Sequence, residues 1–114
     1  MELLAPLFAG SEVEKIVVLH LGEDRRLLAL REYAGSPNEA ELPLRTVIEE
    51  ALRLGTSGLV VAHNHPSGDA DPSPEDLRVS RLLADTARNL GMRLIDHLIF
   101  AGGETRSLRD LGLL

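Results

Sequence analysis

The stretch from Ser57 to Asp76, SGLVVAHNHPSGDADPSPED, leaves this chain few ways to fold. Ser57 to Ala62 reads as a short buried strand, being apolar and bounded by turn-forming residues. The strand ends at His63, and a polar loop from Asn64 to Pro72 follows, dense in Gly, Pro and Asp. Ser73 then offers a side-chain oxygen as an N-cap, Pro74 suits the first helical position, and Asp76 falls at N3. Leu77, Leu83, Ala87 and Leu90 carry the helix from there to Gly91.

The rest of the chain supplies partners for this strand–loop–helix unit. Met1 to Gly10 reads as a short helix within a lead-in over residues 1–11, with Leu3, Leu4, Leu7 and Phe8 on one side. Lys15 to Leu21 is rich in β-branched residues, Gly22-Glu23-Asp24 reads as a turn, and Arg26 to Tyr33 returns as a second strand. Ala34 to Leu42 reads as a loop. Pro43 opens a helix through Leu44, Val47, Ile48, Ala51 and Leu52, closed by Gly55. Met92 to Ala101 forms another strand, Gly102-Gly103 a turn, and Ser107 caps a last helical turn in SLRDL. The expected order is hairpin, helix, strand, helix, strand: an α/β fold, with a mixed sheet flanked by helices in a single domain over residues 1–114.

Composition narrows the function. There are no cysteines, which fits a reducing, cytoplasmic setting and removes thiolate chemistry and cysteine-rich zinc sites. The N-terminus carries Glu2 and no basic region, and no apolar run spans a bilayer, so neither a signal peptide nor a membrane segment is expected. The net charge of −6 and the scarcity of aromatic residues argue against direct nucleic-acid binding by this domain, which needs clustered cations or stacking platforms. Eleven of the twelve cations are Arg and only Lys15 is lysine, a bias best read as codon usage in a GC-rich genome.

The chemistry concentrates where the strand meets the loop. His63 and His65 are two apart at a strand end, so both imidazoles project to one side. A catalytic zinc ion takes three protein ligands and keeps one open position. Asp76 can complete the set from the first turn of the next helix, and Asp69 and Asp71 compete for that place from the loop. An ordinary polar loop followed by a capping box accounts for the same residues without a metal. His97 in LIDHLIF and His20 in VVLHL alternate with apolar neighbours, which suits core or surface histidines; neither receives a role.

His63-x-His65, seven residues and then Ser73-x-x-Asp76 resembles the signature of the JAMM (JAB/MPN+) zinc metalloproteases. HNHPSGDADPSPED, LIDHLIFAGG and SLRDLGLL resemble the C-terminal domain of RadC proteins, from about Glu14 to Leu114. The resemblance implies a JAB/MPN, cytidine-deaminase-like architecture and a Zn²⁺ ion held by His63, His65 and Asp76. It implies further that a metal-activated water attacks a peptide or isopeptide carbonyl in a peptide or protein substrate. Glu14 matches the glutamate that acts as general base, with Glu12 second, and Val17 replaces the small residue often found in that pattern. Ser73 matches the residue that helps stabilise the oxyanion. Asn64 stands where eukaryotic deubiquitinases have Ser or Thr, which counts against ubiquitin-type substrates and not against a metal. The alternative is a non-catalytic MPN-like interaction module associated with DNA repair. A DNA-processing nuclease rests on the family's historical name alone. The helix-hairpin-helix region of full-length RadC proteins is not in this sequence.

Overall fold

Four consecutive residues, Leu59 to Ala62, are almost wholly buried, and the sheet is built around them. The computed structural model describes residues 4–9, 13–34 and 42–114. Its elements are α1 (Ala5–Phe8), β1 (Lys15–Leu21), β2 (Leu27–Ala34), α2 (Leu44–Leu54), β3 (Gly58–Asn64), α3 (Pro74–Asn89), β4 (Arg93–Ala101) and β5 (Glu104–Ser107). The strands form one five-stranded sheet in the order β2-β1-β3-β4-β5. β3 is central, parallel to β4 and antiparallel to β1, so the sheet is mixed as expected. An apolar strand with no polar alternation must be covered on both faces. On one face Ile16, Val18, Leu59, Val61 and Leu94 pack against Val47 and Ala51 of α2 and Leu83 and Ala87 of α3. On the other, Val17, Leu19, Val60, Ala62 and Phe100 pack with Leu4 and Phe8 at α1, where the Phe8 and Phe100 rings stack at 5.0 Å. Burying each Leu, Val or Ile contributes roughly 1.5–3 kcal/mol, which makes this double-faced strand the main stabilising element.

Several boundaries differ from the sequence reading. The strand expected to end at His63 continues through Asn64, because its pairing with β4 runs on to Asn64↔Phe100. His63 is therefore inside the sheet and buried. Pro43 is the N-cap of α2 and not its first residue, with ψ at 78° outside the helical range. Gly55 ends that helix at φ 71°, a left-handed position that glycine occupies without steric cost. The helical turn expected at SLRDL is present as a single turn: the Leu111 N–H donates to the Ser107 carbonyl at 3.0 Å and the Asp110 N–H to Ser107 Oγ at 3.1 Å. Ser107 also closes β5, opposite Leu98, and its hydroxyl donates to the Asp96 carboxylate. The short helix expected over Met1 to Gly10 is present only as Ala5–Phe8. Residues 1–3 and 10–12 of the expected lead-in, and most of the Ala34 to Leu42 loop, lie outside the described residues. Among the described residues, no helix is long and apolar enough to cross a membrane.

His20 of β1 is fully buried. Its Nδ1 lies 3.0 Å from the Thr56 hydroxyl, and its Nε2 has no hydrogen-bond partner among the described residues. Burial pushes its pKa below the ordinary value, opposed by the Glu50 carboxylate and assisted by Arg31 and Arg53. Below pH 6.5 the unfolded chain therefore takes up a proton that the folded chain refuses, so stability falls as the pH drops. Urea unfolding between pH 7 and 5 should show His20→Gln losing less stability than the parent protein. Equal losses would remove His20 from the acid response.

Candidate metal centre

Strand alternation and one helix cap assemble this site. His63 shares the face of Leu59 and Val61, toward α3. His65 lies one residue past β3 on the same side, held by its N–H donating to the Phe100 carbonyl at 2.9 Å. The following loop folds tightly against the β4–β5 turn. A Cβ on Gly102, itself at φ 55°, would come within 3.1 Å of the Gly68 carbonyl oxygen.

At the start of α3 the expected capping box is present. The Asp76 N–H donates to Ser73 Oγ at 3.0 Å, and the Ser73 N–H donates to Asp76 Oδ2 at 2.8 Å. An aspartate at N3 is thereby aimed back across the strand end. Its Oδ1 lies 3.3 Å from His63 Nε2 and its Oδ2 3.1 Å from His65 Nε2. The two Nε2 atoms are 2.9 Å apart. Asp69 and Asp71 stay out of the cluster. The Asp69 carbonyl instead accepts from His65 Nδ1 at 2.8 Å, and the Asp69 carboxylate accepts from the Asp71 N–H.

These contacts test whether a cation fits. A carbonyl only accepts, so Nδ1 of His65 carries the proton and its Nε2 in the neutral form is a bare lone pair. On the buried side, Nδ1 of His63 lies 2.7 Å from His97 Nε2, and His97 Nδ1 contacts the Ser80 hydroxyl. When His63 Nδ1 donates to His97 and His97 Nδ1 donates to Ser80, the His63 Nε2 lone pair also faces the site. Two lone pairs and a carboxylate then converge, an arrangement that is repulsive until a positive charge enters. Donors about 2.0–2.1 Å from a tetrahedral centre lie about 3.3 Å apart, close to the spacing seen. The residues fit a metal ion: His63, His65 and Asp76 can hold one.

The electrostatics agree. Burial alone would raise the Asp76 pKa, but hydrogen bonds from His63 and His65, the His63 charge and the Ser73 N–H together hold it well below the usual carboxylate range. The hydrogen bond to Asp76 raises His65, against the effect of burial and with smaller help from the Asp69 carbonyl and the Glu14 charge. The His65 imidazole therefore holds a proton more readily than a free one, and a divalent cation competes for that place. Burial pushes His97 down to about 3, so it is a neutral partner to His63.

Sequence reasoning gave His97 no role. Its alternation within β4 marks it as buried, but only the parallel register, Val61↔His97, brings it behind His63. Ser80 was missed altogether, being one helical residue among many. Outer partners of this kind tune affinity by about 10–100-fold. His97→Phe should keep the fold and weaken zinc binding by that factor, while His97→Gln, with an amide oxygen to accept from His63, should lose less. Equal affinities for all three proteins in a competition titration with a chromogenic chelator would remove His97 from the site.

Glu14 precedes β1 by one residue and is half-buried. In the β1–β3 ladder Ile16 faces His63, and extending this register by two residues puts Glu14 opposite His65. The effect of the Glu14 charge on His65 fits that placement. Glu12 lies outside the described residues.

Comparison with known proteins agrees with this geometry. A family model described as a RadC-like JAB domain matches residues 1–113. A UPF0758 protein of Chloroflexus aggregans is 44% identical over 81 residues, which cover 71% of this chain and 35% of that protein. One from Nostoc is 40% identical over 102 residues, 89% of this chain and 42% of the relative. One from Acidithiobacillus ferrooxidans is 41% identical over 100 residues, 87% of this chain and 45% of the relative. The chain thus spans less than half the length of these relatives.

Proposed function

This chain belongs to the RadC-like JAB domain family, and from that premise we propose that it is a zinc-dependent hydrolase of peptide or isopeptide bonds. The observation that carries the reading is the convergence of two imidazole Nε2 atoms and one carboxylate, with a second carboxylate, Glu14, set across from His65. Two nitrogens and one oxygen are a donor set that suits zinc, with one position open. Bound there, zinc would supply Lewis acidity, polarising a carbonyl and lowering the pKa of a water to about 7.

The protein's own groups do the rest. His63, His65 and Asp76 hold the ion, with His97 and the Asp69 carbonyl fixing the imidazole tautomers. Glu14 accepts a proton from the attacking water and passes it to the leaving amine nitrogen. Ser73 Oγ accepts from the Asp76 N–H, which leaves its hydroxyl proton free to donate to the developing oxyanion.

The test is a peptide library derived from whole-proteome digests, incubated with the zinc-loaded protein and read by mass spectrometry. Expected are new termini that vanish after chelation and return with added zinc. The absence of any cleavage by protein holding one zinc per chain would favour a binding module over an enzyme.

A further inference from the structure

Asn64 is a buried polar side chain that none of the steps above uses. It ends β3, and alternation turns it to the face opposite His63 and His65. Its amide makes two bonds to the segment entering β1. The Lys15 N–H donates to Asn64 Oδ1 at 2.8 Å, and Asn64 Nδ2 donates to the Val13 carbonyl at 2.9 Å. The residue between those two backbone groups is Glu14.

We infer that Asn64 is a positioning residue for Glu14, clipping the backbone on both sides of it so that the carboxylate is held over the metal centre on the other face. The inference rests on the proposed role of Glu14 as general base. The β1–β3 ladder ends at Ile16↔His63, so Glu14 lies beyond the last paired residue, where a strand end ordinarily frays. A base that swings freely is in reach of its proton only part of the time, and a misplacement of about 1 Å costs about 10²-fold in rate. The clip carries the pairing past the end of the ladder. Lys15, on the Asn64 face, reaches over the Phe8 ring, 5.6 Å from its centroid, and anchors the same segment a second time.

The chemistry of the side chain explains why an amide stands here. Asparagine brings a separate donor and acceptor, matching a carbonyl on one side of Glu14 and an N–H on the other. Aspartate would set an acceptor against the Val13 carbonyl. A serine or threonine hydroxyl presents one oxygen to both groups. The two histidines flanking Asn64 face the metal from one side of the sheet while Asn64 orders the base from the other. Three consecutive residues thus build the ligand pair and its partner carboxylate together.

The test compares Asn64→Leu, Asn64→Asp, Glu14→Gln and the double variant Asn64→Leu with Glu14→Gln, each loaded with zinc. Expected for Asn64→Leu are one zinc per chain, zinc affinity within about threefold of the parent, and amide exchange at Lys15 faster by about 10²-fold or more. With a cleaved peptide as substrate, kcat should fall by about 10²-fold with KM little changed. The double variant should be no slower than Glu14→Gln, because Asn64 acts only through Glu14. Asn64→Asp, which keeps the bond from Lys15, should fall between parent and Asn64→Leu. Loss of zinc together with activity, or an Asn64→Leu effect that adds in full to Glu14→Gln, would make Asn64 a merely structural residue and overturn the inference. So would unchanged Lys15 exchange. If Glu14→Gln leaves kcat unchanged while Lys15 exchange responds to Asn64→Leu, then the assignment of the base fails, and with it the purpose of the clip.

Discussion

His63→Ala is expected to leave the protein without stoichiometric zinc and without hydrolytic activity. Zinc in small protein sites is bound with about 10–16 kcal/mol, so each ligand of a four-membered set contributes about 3 kcal/mol, or about 10²-fold in affinity. The effect should be larger at His63, because its imidazole also meets His97 in the interior. Removing it strands the His97 Nε2 at a cost of about 1–3 kcal/mol, so some loss of thermal stability is expected as well. Asp76→Asn separates the two effects. It retains an oxygen to accept from the Ser73 N–H and preserves the cap, yet removes the only anionic ligand. Atomic absorption on dialysed protein should show one zinc per chain for the parent and far less for both variants. Full zinc occupancy in both would dismiss the metal centre.

Glu14→Gln should do the opposite: bind zinc normally and hydrolyse slowly. The carboxylate contributes through proton transfer alone, a term of about 10²–10⁴-fold in kcat. Glutamine has the same shape and cannot accept the proton. Because Glu14 is not among the three residues that converge on the site, metal content and melting temperature should match the parent. Retained activity would move the base to Glu12 or end the proposed mechanism. Together the two variants divide the reading into a binding part and a chemical part, each able to fail alone.

The two parts were not equally legible. Local rules account for the candidate ligands. A capping box is written into four consecutive residues, and it alone orients Asp76; strand alternation alone puts His63 and His65 on one side. Asp69 and Asp71 compete with Asp76 in the sequence, but in the structure the Asp69 carbonyl accepts from the His65 ring and the Asp69 carboxylate from the Asp71 N–H. The family pattern had already favoured Asp76, and the geometry agrees. Where the structure goes beyond the sequence reading, a long-range pairing is added to a local preference. Ser107 caps the last turn, as it reads from sequence, and also closes β5 by pairing with the edge of β4.

What the amino-acid sequence determined by itself was the strand–loop–helix unit, the capped Asp76, the histidine pair and a cysteine-free chemistry, all set by neighbours within about a dozen residues. Tertiary structure alone decided what surrounds that pair. His97 comes from 34 residues away through a parallel register, and the Lys15–Asn64 bond spans 49 residues across an antiparallel one. Their contribution depends on which strands become neighbours. That choice is made by burial of the whole apolar sheet, and no local pattern records it.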